Sequence, residues 1–221
     1  MVKNIGSMKN KHLILIALAA FIMASCVKTK NYYVNDATRV WFADSTNCRF
    51  TMQDDNGVSY SFRLEPVWQN MLENGTSILF VPTEKSLHEE LCQNGWGSYS
   101  ASLRFCLEIE AYKRDDEYEG TDLFMMYFGE SRYDMRIDGD QFYPRGCYDM
   151  GCDVGEMEFE AEYIDRFWVH NGEYQGVMHL KLIDLAYPQS PFFPTEIYYA
   201  KHYGLIQCTL DDKLTLYRLP N

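Results

Sequence analysis

From Glu156 to Tyr163 the chain alternates acidic and apolar residues without a break: Glu156-Met157-Glu158-Phe159-Glu160-Ala161-Glu162-Tyr163. A period of two puts all four glutamates on one face of an extended strand and the apolar side chains on the other, a pattern no amphipathic helix can use. The strand continues through Phe167-Trp168-Val169 to Asn171-Gly172, the dipeptide favoured in a type I′ hairpin, and Tyr174 to Leu185 returns. A turn centred on Asn171-Gly172 sets His170 opposite Glu173, Glu162 opposite Lys181, Tyr163 opposite Leu180 and Ala161 opposite Leu182. Apolar residues then meet on one face and opposite charges on the other.

The same register puts Asp184 opposite Phe159 and Asp165 opposite Met178, both on the inward face. An inward carboxylate with a raised pKa can bind a ligand or move a proton in a cleft. The plainer reading has Asp184 reaching a backbone donor or water near a strand end, and a bulge around Ile164 to Arg166 turning Asp165 outward. The pattern favours the plainer reading.

Further strands are expected at Arg39 to Phe42, Arg49 to Gln53, Val58 to Glu65, Ser77 to Val81, Leu103 to Ala111, Leu123 to Phe128, Met135 to Ile137, Ile197 to Tyr199, Leu205 to Leu210 and Lys213 to Tyr217. Asp54-Asp55-Asn56-Gly57 reads as a turn. One short helix is expected from an N-cap at Thr83, with Leu87, Leu91 and Cys92 on one face and Gly95 as its stop. The fold class is therefore mainly β: an antiparallel curled sheet, half-barrel or sandwich, with one short helix.

At the N-terminus, Lys9 and Lys11 precede twelve apolar residues, Leu13 to Ala24, which run into Ser25-Cys26. Twelve suits a secretory signal and is short of the roughly 20 needed to span a bilayer. Either Met1 or Met8 as the start gives the same mature protein. Removing residues 1–25 takes away three lysines and no acid, leaving 17 basic against 32 acidic residues, a net charge of −15. Such a charge excludes general affinity for nucleic acid. The remainder reads as a tether, 26–36, and a single β-rich domain, 37–221.

Met23-Ala24-Ser25-Cys26 resembles the lipobox of bacterial lipoproteins, with Met23 where Leu is commoner. The resemblance implies diacylglycerol on Cys26, a membrane partner held through that lipid, and residence on the periplasmic face of the outer membrane, with the cell surface as the alternative. Ile197-Tyr198-Tyr199-Ala200-Lys201-His202-Tyr203-Gly204-Leu205-Ile206-Gln207 resembles a closing hairpin of β-rich Bacteroidota lipoproteins. Some curled-sheet lipoproteins carry acyl chains against a concave apolar face.

Six cysteines remain after Cys26, an even number for an oxidising compartment. Cys147 and Cys152 flank a four-residue loop that a disulfide would stabilise by about 2 kcal/mol on the chain-entropy view. Zinc would need further ligands at close spacing, and none are there. Asp138-Gly139-Asp140 and Asp54-Asp55-Asn56-Gly57 offer oxygen ligands without the spacing of a calcium loop, so turn chemistry explains them. No HExxH, GxSxG or phosphate-binding glycine loop occurs, and no cofactor is assigned. His179 falls on the outward face of its strand, where solvation is the simplest role. The glutamate stripe reads as a solvated face that discourages sheet aggregation and offers a surface to a basic partner.

Seventeen of the 34 aromatic residues are tyrosines, which suit interfaces. With Asp165 and Asp184, Tyr198, Tyr199 and Tyr203 form the candidate ligand-binding set, and Tyr32-Tyr33 is a further pair to test. Three functional readings follow: a lipid-anchored ligand-binding or protein-interaction module, a carrier of an apolar ligand, or a hydrolase built on carboxylates.

Overall fold

The computed structural model describes residues 29–78, 81–97, 104–111, 120–150, 156–170, 172–183, 193–210 and 214–220. Among them fourteen strands form one sheet: β1 (Thr29–Tyr32), β2 (Arg49–Asp54), β3 (Ser59–Leu64), β4 (Trp68–Ile78), β5 (Val81–Gly97), β6 (Arg104–Ala111), β7 (Asp122–Phe128), β8 (Ser131–Asp138), β9 (Gln141–Asp149), β10 (Phe159–Val169), β11 (Gly172–Leu182), β12 (Pro194–Ala200), β13 (Gly204–Leu210) and β14 (Leu214–Arg218). The order is β10-β11-β12-β13-β14-β2-β3-β5-β6-β7-β8-β9, and each neighbour is antiparallel. The two ends of this path meet where Cys147 of β9 and Met157, just before β10, exchange backbone hydrogen bonds of 2.8 Å. The sheet is thus a nearly closed barrel. β4 pairs with the first two-thirds of β5, and β1 runs parallel along the other edge of β5.

Alternation along each strand fills the interior. Phe105, Leu107 and Ile109 of β6 face Phe124 and Met126 of β7, Met135 and Ile137 of β8, Leu180 of β11 and Ile197 of β12 in one buried cluster. The mouth is plugged by the segment after β1, which carries the helix α1 (Asp36–Arg39) and a 3₁₀ turn (Ser45–Asn47). Val34, Trp41, Phe42 and Ala43 of this plug are all buried. Two polar residues on the inner face of β5 hold it. The Glu89 carboxylate, fully buried, accepts from the Val34 N–H at 2.8 Å, from Gln69 Nε2 at 2.5 Å and from the Arg39 guanidinium. Gln93 reads the plug backbone in both directions, accepting from Ala43 N–H at 3.0 Å and donating to Ala43 C=O at 3.1 Å.

Several expectations are corrected. The stretch read as a helix from Thr83 is strand β5, because its inward positions carry Glu89 and Gln93 instead of an unbroken apolar series, which hides the period of two. Arg39 ends α1 and does not start a strand. Residues 29–32, read as tether, pair with β5, and Tyr32 stacks on His88 at 4.9 Å. The β10–β11 register is displaced by two residues, with Glu162 opposite His179, Tyr163 opposite Met178 and Val169 opposite Gly172. The turn therefore begins at His170, whose φ of 48° takes the left-handed conformation. A shift of two leaves Phe159 to Tyr163 on their expected faces while changing the partner of each. The Asp54 turn is as read: its carboxylate accepts from the N–H groups of Asn56 and Val58 at 2.9 and 2.8 Å, and Gly57 has φ +81°. Among the described residues no helix is long and apolar enough to cross a membrane.

Candidate functional site

Closure of the barrel is incomplete on one side of the Cys147–Met157 bridge. Glu158 C=O accepts from Ile183 N–H at 3.0 Å, so the even-numbered residues that follow turn their backbone groups to β11. The odd-numbered Phe159 and Ala161 turn theirs toward β9. On β9 the ladder to β8 slips between Asp134 and Met135, Arg145 bulges out, and Pro144 has no N–H to give. Past the bridge β9 stays beside β10, but no described backbone pair joins the two. The exposed Glu156 side chain lies over Gly146, where a Cβ would run into its carboxylate and make it move aside.

A cleft of about 500 Å³ occupies this seam, lined by Pro144, Phe159, Glu160, Ala161, Glu162, His179 and Lys181. Its electrostatics are set by the alternating glutamates: Glu156, Glu158, Glu160 and Glu162 are all exposed. Beside it, His179 Nδ1 lies 2.6 Å from Glu162 Oε1 and Nε2 lies 2.7 Å from Glu196 Oε1. The imidazole stacks on Tyr198 at 4.3 Å, and Tyr198 stacks in turn on Phe167 at 4.2 Å. Both ring nitrogens are committed, so this histidine has no free position from which to abstract a proton. It braces two glutamates instead.

The four candidate binding residues among those described are not brought together. Asp165 is exposed, beside Gly176 at φ +64°, but the register to β11 is the same on both sides of it, without the bulge of the plainer reading. Asp184 and Cys152, like Cys26, the residue expected to be lipidated, lie outside the described residues. Tyr198 is on the outer face, hydrogen-bonded to Glu196 at 3.0 Å, and burial with this carboxylate pushes its phenol above the usual range. Tyr199 points inward and stacks on Phe105 at 5.8 Å. Tyr203 sits at the β12–β13 turn, 41% exposed, with its ring edge against Tyr174.

No protein-family model, curated protein or solved structure matches this chain. The site is therefore read from its own chemistry. Cys147 is a free, fully buried thiol whose pKa burial pushes up to about 12. Cys92 and Cys106 sit with their sulfurs 3.4 Å apart and unbonded. Among the described residues no three His, Cys, Asp or Glu side chains are gathered for a metal ion. Sequence reasoning missed Pro144 and Glu196, and it set Lys181 opposite Glu162. Only the correct register puts His179 there.

Proposed function

We propose that this chain is a lipid-anchored interaction module of the cell envelope that receives an extended basic segment of a partner protein along the seam-facing edge of β10, displacing β9 from beside it. The single observation that supports the reading is that edge: unpaired backbone groups at Phe159 and Ala161 beside a 500 Å³ cleft, under a row of exposed glutamates. An added strand gains main-chain hydrogen bonds from such an edge and specificity from alternate side chains. Alternating lysines would lie over Glu158, Glu160 and Glu162, with apolar residues between them against Phe159 and Ala161. A second copy of β10 is disfavoured, because glutamate would face glutamate across the new pair.

The membrane address is part of the same proposal, supported by the apolar run Leu13 to Ala24 ending at Ser25-Cys26. The barrel interior is occupied by its own side chains and by the plug, so the reading does not invoke an apolar cargo there. The test is calorimetric titration of the mature chain with a nine-residue peptide of alternating lysine and valine. Binding that weakens with salt and falls at least tenfold in the Glu160→Gln/Glu162→Gln variant is expected. Equal binding by a peptide of the same composition with its lysines in one block would contradict strand addition.

A further inference from the structure

At the far end of β5 four outward side chains stand in one row across four strands. Arg49 of β2 is opposite Arg63 of β3, Arg63 is opposite Trp96 of β5, and Trp96 is opposite Arg104 of β6. All four are exposed, the indole by 43%. Like charges directly opposed on neighbouring strands work against pairing. The chain as a whole has a net charge of −12, and several of its cations find acids, as Arg39 finds Glu89, Lys85 finds Glu73, Arg132 finds Asp134 and Lys201 finds Asp140. Among the described residues Arg49, Arg63 and Arg104 have no such partner.

Two hollows adjoin the Arg49–Arg63 pair and share it. One, about 430 Å³, has Ser45 and Thr46 on its wall; the other, about 710 Å³, has Thr51 and Ser61. Guanidinium forks, hydroxyls and one flat indole are thus displayed together on an open sheet face.

We propose that this row binds an acidic glycan, with Arg49, Arg63 and Arg104 receiving successive carboxylates and Trp96 stacking on a sugar face between them. Arg63 and Arg104 are two strand spacings apart, about 10 Å, too far for one small anion to bridge and suited to a repeating one. Each hollow sets two hydroxyl residues among apolar ones such as Pro66 and Val67 or Leu219 and Pro220, a mixture that fits the hydroxyls and the apolar face of a sugar. A phospholipid surface fits less well: β1 runs beside Lys85, eleven residues and about 36 Å of extended strand from Trp96, so the row lies at the pole away from the N-terminal attachment. The site is separate from the seam cleft and does not depend on it.

The experiment is titration of the mature chain with a hexamer of galacturonate, followed by indole fluorescence and calorimetry. A neutral glucose hexamer, inorganic phosphate and vesicles containing phosphatidylglycerol serve as comparators. The carboxylated hexamer is expected to bind at low salt, and Arg63→Gln, Arg49→Gln and Trp96→Ala each to weaken it at least tenfold. Arg49→Gln and Arg63→Gln are also expected to keep or raise the melting temperature, since each relieves the opposed pair. Binding of the neutral hexamer as tightly as the acidic one, binding only to phosphate or vesicles, no binding at all, or arginine variants that bind normally or melt earlier would each overturn the proposal.

Discussion

Glu89 keeps a carboxylate inside the barrel because three donors from two separate segments meet it there: the Val34 backbone and Arg39 of the plug, and Gln69 of β4. Removing one side of a buried, hydrogen-bonded ion pair costs about 3–5 kcal/mol, since the partner is left buried without compensation. Arg39 is partly exposed, which puts the cost toward the lower figure. Glu89→Ala is therefore expected to lower stability by about 3 kcal/mol in urea unfolding and to expose the plug to limited proteolysis before the sheet opens. Glu89→Gln, which keeps an acceptor for Val34, should lose less. An Ala variant as stable as the parent would mean that the plug is held by Trp41 and its apolar neighbours alone. None of this was legible in the sequence, where Glu89 is one acid among 32.

Strands β5 and β6 bring three acids together on the outer face, with Glu90 directly opposite Glu110 and Glu108 one diagonal away. Burial, and then hydrogen bonding and repulsion from Glu90, push Glu108 up from its ordinary 4.5 to about 7. Between those values the folded chain holds a proton that the unfolded chain releases, so this group's contribution to stability is full below about pH 4.5 and disappears as pH rises through 7. Glu108→Gln is expected to flatten the fall in melting temperature between pH 5 and 8 and to raise it at pH 8; identical pH profiles would remove the shared proton from the account. The alternation of β6 itself, Phe105, Leu107 and Ile109 inward, was plain from the sequence, as was that of β10. β5 was not, since its inner positions serve the plug, and β9 was not, since Pro144 and Gly146 are poor strand formers kept for the seam.

At the scale of the whole molecule, mainly antiparallel β structure followed from local patterning, but closure did not. Cys147 meets Met157 only because eleven other strand pairings first curl the sheet, and no local pattern records that sum. The N-terminal segment is similar: no local pattern in residues 29–32 records their pairing with β5. Lipidation predicts that Cys26→Ser moves the protein out of the membrane fraction of the producing cell; retention there would leave Cys26 without that role. The open seam is the feature on which the functional reading depends, and amide hydrogen exchange along β10, resolved by NMR, tests it most directly. Slow exchange at Glu160 and Glu162, fast exchange at Phe159 and Ala161, and slowing of the fast pair by the alternating lysine–valine peptide are the predicted results. Uniform protection along β10 in the free protein would mean that the seam is already paired, and would contradict the account.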